Sequence, residues 1–183
     1  GTYTIATGDD GIHADNAVTI TDRDLTIADS YEGIEGLSID ISGGTISVKA
    51  SDDGLNAAGG ADSSGFGGRG GDAFAVTDGA CITISGGALT VDADGDGLDS
   101  NGDLRITGGA TYVAGPTSGA DSALDYNGEA EITGGTFAAT GTVGMAQTFG
   151  DSSTQASMLI ALSPDSTPCT ITVLDADGTE LFS

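Results

Sequence analysis

Apolar and polar residues alternate along this chain in short runs, and the runs come in pairs flanking a glycine corner. Val18/Ile20, Ile39/Ile41, Ile82/Ile84, Leu104/Ile106 and Ala130/Ile132 precede the corner. Leu25/Ile27, Ile46/Val48, Leu89/Val91, Thr111/Val113 and Phe137/Ala139 follow it. Alternation with period two over so few residues marks strands with one buried face. Helices do not suit these runs, because β-branched residues fill them and Gly interrupts every turn.

The pattern repeats. A stem of acidic residue, Gly and apolar residue occurs as Asp10-Gly11-Ile12, Glu32-Gly33-Ile34, Asp53-Gly54-Leu55 and Asp96-Gly97-Leu98, with Ser122-Ala123-Leu124 as a fifth relative. The apolar residue recurs at intervals of 22, 21, 43 and 26. A second landmark follows at Ile41, Ile84, Ile106 and Ile132, each leading into Ser/Thr-Gly-Gly; in the first coil Asp22-Arg23 stands where the Gly pair belongs. Three short strands in about 22 residues cannot bury their own apolar face, whereas stacked units can. The sequence therefore predicts an all-β, right-handed parallel β-helix over residues 1–141, with positive φ at one residue of each Gly pair.

The interval of 43 hides no extra stem and predicts a Gly-rich loop insertion over 56–81, carrying Phe66, Arg69 and Phe74. Residues 142–183 read as a C-terminal cap: strands at Met158–Leu162 and Thr170–Leu174, then a turn at Asp175–Gly178 leading to Thr179–Phe182 as a β-hairpin. The first eleven residues align without gaps to Gly44–Gly54, which puts Gly1 in mid-coil; the expectation is that further chain precedes it.

Charge narrows the partners. With 28 Asp+Glu against 4 Lys+Arg, the net charge is −24, which excludes direct nucleic-acid binding and disfavours anionic membranes. No apolar stretch reaches membrane-spanning length. Cys81 and Cys169 are the two cysteines, and their spacing leaves pairing open.

Aligned on the stem, the acids fall into columns. Two places before the apolar residue stand Asp10, Glu32, Asp53, Asp96 and Ser122; one place after it stand His13, Glu35, Asn56, Asp99 and Asp125; three before it stand Asp9, Tyr31, Asp52, Gly95 and Asp121. Successive coils lie ~4.8 Å apart, and two like charges at that distance repel by about 3 kcal/mol at an effective dielectric constant of ~20. Relief comes from protonation or from a shared cation. Calcium suits the oxygen-rich corners, whereas zinc is not expected with a single His and two distant Cys. Asp92-Ala-Asp94-Gly-Asp96-Gly97 with Asp103 matches EF-hand spacing apart from Asp at the last ligand place, but its flanks are strands. Asp-Gly is also ordinary turn chemistry, which accounts for single acids but not for a column containing Glu32 and Glu35. His13 reads as a polar surface residue, and Lys49 as an ion-pair partner of the Asp52 corner or, beside calcium, as a base.

Asp-Asp-Gly-Ile-His-Ala, Tyr-Glu-Gly-Ile-Glu-Gly-Leu, Asp-Asp-Gly-Leu-Asn-Ala-Ala-Gly-Gly, Asp-Gly-Leu-Asp-Ser-Asn-Gly and Ala-Leu-Asp-Tyr-Asn-Gly occur in that order, with Gly144-Met-Ala-Gln147 before the cap. Over the whole chain the sequence resembles the secreted carbohydrate-binding β-helix proteins of clostridia and related bacteria, a family similar in fold and calcium use to the family 9 pectate lyases. The resemblance implies an extracellular, secreted or cell-surface protein that binds polygalacturonate, with cellulose as a further candidate. It implies calcium ligands at Asp9, Asp10, Glu32, Glu35, Asp52, Asp53, Asn56, Asp94, Asp96 and Asp99. The lyases carry Asp-Asp-x-x-Asp for calcium, and here Asp52-Asp53-Gly-Leu-Asn56 ends in Asn. A non-enzymatic binding module is therefore the expectation. The competing readings are a calcium-dependent polysaccharide lyase with Lys49 or Arg105 as base, and a structural segment of a larger adhesin.

Overall fold

The computed structural model describes residues 1–58, 75–162 and 170–182. Its strands are β1 (Thr2–Ala6), β2 (Ile12–Ile20), β3 (Asp24–Asp29), β4 (Ile34–Ala50), β5 (Leu55–Ala57), β6 (Cys81–Ala93), β7 (Leu98–Ser100), β8 (Asp103–Ala114), β9 (Leu124–Tyr126), β10 (Ala130–Ile132), β11 (Thr136–Thr140), β12 (Val173–Leu174) and β13 (Glu180–Phe182). No helix occurs among the described residues, so none is long and apolar enough to cross a membrane.

β1 to β11 form one parallel β-helix with three walls, because the longer strands bend at their corners and serve two walls each. The first wall stacks Ile12, Ile34, Leu55, Leu98 and Leu124 in register. On the second, Val18, Ile39, Ile82, Leu104 and Ala130 align. The third runs from Ile5 through Ile27, Val48, Val91 and Val113 to Ala139. The inward residues make one continuous core, with Ile34, Leu55, Leu98, Ile39, Ile82 and Leu104 fully buried. Stacking like on like is what the repeat predicts, since each coil covers its neighbour's apolar face.

Two glycine columns permit the close approach of coils. The second Gly of each pair has positive φ: Gly44 at 94°, Gly87 at 82°, Gly109 at 80° and Gly135 at 83°. Arg23 takes that place in the first coil with φ 134°, a conformation costly for a residue with a side chain. The stem glycine is needed for space. A Cβ on Gly54 would lie 2.2 Å from Val91 Cγ1 and 2.6 Å from the Gly97 carbonyl oxygen; one on Gly97 would meet Val113 and the Ala123 oxygen equally closely. In the last coil of the column the position is Ala123, where no further stem stacks on it.

The insertion lies where the spacing placed it, because β5 ends at Ala57 and the second wall resumes at Cys81. Phe66, Arg69 and Phe74 lie outside the described residues, as does Cys169; Cys81 is a free thiol. The C-terminal reading needs correction in part. Val173–Leu174 and Glu180–Phe182 do form the hairpin, around a turn in which Asp175 accepts the Asp177 and Thr179 amides. Met158–Leu162 is not a strand and is exposed. A continuous apolar run misleads there because no strand among the described residues pairs with it. The last coil is instead covered by the segment around 147–155. Phe149 meets Phe137 edge-on at 5.2 Å, Gly150 donates to the Ala130 oxygen, and Gln155 donates to the Ile132 oxygen.

Candidate metal centre on the first wall

The first wall turns its outward residues toward the corner that precedes it, and both acidic columns meet there. Strand register places His13, Glu35, Asn56, Asp99 and Asp125 in one line. The stem acids form the second line, because each stem Gly donates to the carbonyl of the matching stem residue one coil on: Gly11 to Glu32, Gly33 to Asp53, Gly54 to Asp96 and Gly97 to Ser122. The columns inferred from sequence are thus physical columns.

Within them the side chains sort into groups. Asp53, Asp96 and Asp99 each bring a carboxylate oxygen within 4.8 Å of the other two. Asp53 Oδ1 also accepts the Asp96 amide at 2.7 Å, and Asp96 Oδ1 accepts the Ser122 amide. One oxygen of Asp53 and one of Asp96 are therefore tied to the next coil, the turn chemistry that the Asp-Gly pairs allowed. Burial, reinforced by Asp99, Asp96 and Asp52, pushes Asp53 up to about 9. Burial, with Asp96 and Asp125, pushes Asp99 up to about 8. Asp96 rises to about 6, burial outweighing the stabilising Ser122 amide.

Asn56 lies beside this group, in register with Asp99. It is 8% exposed, and its Nδ2 donates to Glu32 Oε2 at 3.1 Å. Its Oδ1 is buried without a hydrogen-bond partner among the described residues. A buried acceptor next to carboxylates finds a donor only where one of them keeps its proton, and a cation answers the same deficit. Glu32 is pushed up to about 7 by burial and by Glu35, against the Asn56 amide.

A second group forms at the first two coils from Asp10, His13 and Glu35. The sequence reading set His13 aside as a surface residue; in the fold it contacts Glu35 through Nδ1 and has its pKa raised, chiefly by that hydrogen bond. Glu35 is itself raised by burial, with His13 pulling the other way.

Other expected ligands do not join either group. Asp9 and Asp94 are exposed and outside both. Asp52 bonds the Tyr31 hydroxyl and drives that phenol up to about 12. The EF-hand-like spacing does not gather its acids: Asp92 and Asp94 are exposed, while Asp103 serves the Glu129 amide and Arg105. Lys49 is exposed and stands in register with Asp92, and Arg105 lies on the second wall between Asp103 and Glu131. Asp125, absent from the expected set, acts on Asp99 and Asp96 and accepts Gln147 Nε2 at 2.7 Å. Its place in the His13–Asp99 column was the signal for it. Compared with known protein families, curated proteins and solved structures, the chain matches none.

Proposed function

We propose that this protein is an extracellular, calcium-dependent binding module for acidic polysaccharide, polygalacturonate above all. The observation that carries the reading is the meeting of Asp53, Asp96 and Asp99 beside the orphaned Asn56 Oδ1. The donor set is all oxygen, which suits calcium and its six to eight flexible oxygen contacts. Three carboxylates and an amide oxygen fall short of that number, so positions remain for uronate carboxylates of the polymer. A chain at −24 repels a polyanion without such an ion between them. Cellulose carries no carboxylate and gains nothing from this bridge, so it is the weaker candidate.

Among the described residues the two bases named for a lyase lie elsewhere: Arg105 is engaged by two carboxylates on another wall, and Lys49 stands opposite Asp92. The test is retention on immobilised polygalacturonate with calcium and with EDTA. Retention in calcium only, lost in Asp53→Asn, is expected. Equal retention in EDTA overturns the bridge, and calcium-dependent melting without retention points to a purely structural ion.

A further inference from the structure

The group at the first two coils differs in kind from the carboxylate site two coils on. His13 Nδ1 contacts Glu35 Oε2 and lies 3.4 Å from Asp10 Oδ2. The Asp10 and Glu35 side chains are 7% and 5% exposed, while that of His13 is 31% exposed. Asp10 Oδ1 is buried with no hydrogen-bond partner among the described residues. Neutral imidazole offers a single N–H, and even imidazolium offers only one at Nδ1. Asp10 and Glu35 also bond one another through a shared proton, and Asp10 Oδ1 is still left unanswered.

The other face of the ring adds a separate observation. His13 Nε2 lies 3.5 Å from Asp15 Oδ1, a carboxylate 82% exposed. Once Nδ1 gives up its proton in exchange for a cation, an outer carboxylate near Nε2 supports the tautomer that leaves the Nδ1 lone pair for the metal, the usual support of a metal-bound histidine. The 3.4 Å between Nδ1 and Asp10 Oδ2 is also the separation of two ligands on a tetrahedral ion with bonds of ~2.0–2.1 Å, whereas Glu35 Oε2, in direct contact with Nδ1, must draw back to admit the ion.

We propose that Asp10, His13 and Glu35 form a second metal site, selective for zinc or a similar first-row divalent cation over calcium, with His13 Nδ1 and one oxygen of each carboxylate as ligands. The imidazole nitrogen gives the preference, since nitrogen suits borderline cations and calcium takes oxygen. Counting residue types argued against zinc because one His is few; a His with two buried carboxylates supplies the three protein ligands of such a site. This site does not depend on the polysaccharide reading, as it shares no ligand with the Asp53 group.

Cobalt(II) serves as the zinc probe, titrated into the full chain in excess calcium, with visible absorption and calorimetry as readouts. One equivalent is expected to bind with tetrahedral ligand-field bands and to be displaced by zinc. His13→Gln should weaken it by a hundredfold or more and Asp15→Ala by roughly tenfold, with Asp53→Asn leaving it unchanged. Circular dichroism identifies any variant that fails to fold, and Asp15→Ala, which alters only an exposed carboxylate, then carries the test. No uptake above calcium, uptake unaffected by either His13→Gln or Asp15→Ala, or uptake lost equally in Asp53→Asn overturns the proposal.

Discussion

Thr111 shows how far one residue can depart from its column. It occupies the inward position held by Leu89 in the coil before and Phe137 in the coil after, it is fully buried, and its Oγ1 has no partner among the described residues. Thr111→Val keeps the shape and removes the orphaned hydroxyl. It should stabilise the protein by about 1–2 kcal/mol in urea unfolding, with an unchanged m-value. Asp53 poses the opposite case, a polar residue whose cost has a use. Asp53→Asn relieves a buried carboxyl held near 9. The metal-free variant should be more stable than the parent by roughly 1–3 kcal/mol, yet should lose most of the stabilisation that calcium confers. If Asp53→Asn destabilises the protein in EDTA, the strained-carboxylate account is wrong.

Strands here are short and individually weak, so the stem glycine that lets coils touch matters more than any one ladder. Gly54→Ala drives a Cβ against Val91 and the Gly97 carbonyl, an overlap that neither a valine in a packed core nor backbone can absorb cheaply. A loss of about 3 kcal/mol or more is expected by denaturant unfolding. The matched control is Ala123→Gly in the last stem, where only chain entropy and a methyl are at stake, with a cost of about 1 kcal/mol. Equal costs at the two positions would show that coil contact is not what selects glycine.

For the molecule as a whole, the raised carboxylates couple stability to pH. In an unfolded chain Asp and Glu lose their protons near pH 4; folded, Asp96, Glu32, Asp99 and Asp53 hold theirs to about 6, 7, 8 and 9. Between those limits the native state binds more protons than the unfolded one, so metal-free stability is complete below about pH 4 and falls as pH rises toward 9. His13, raised by Glu35, adds to the same trend, since its contribution is present below about 6.5 and is lost as it deprotonates at higher pH. Melting in EDTA should therefore be lower at pH 8.5 than at pH 5, while calcium should restore most of the difference. A metal-free melting temperature that is flat or climbs over that range contradicts this.

Much of this protein was legible before any coordinates. Alternation, the recurring stem and the Gly pairs are local features, and a stacked repeat turns them directly into walls, corners and columns, because register between coils is the sequence interval itself. The same arithmetic located the insertion and both acidic lines. It failed at Met158–Leu162, where apolar character had no partner strand, and where the last coil recruited Phe149 and Gln155 instead. It also could not say which acids in a column meet. Asp53 turns to Asp96 and Asp99 while Asp94 faces water, and His13 joins Asp10 and Glu35 rather than solvent alone. Sequence alone determined which residues stack; the bend of each corner, a property of the whole coil, decided which stacked side chains come within reach of one ion.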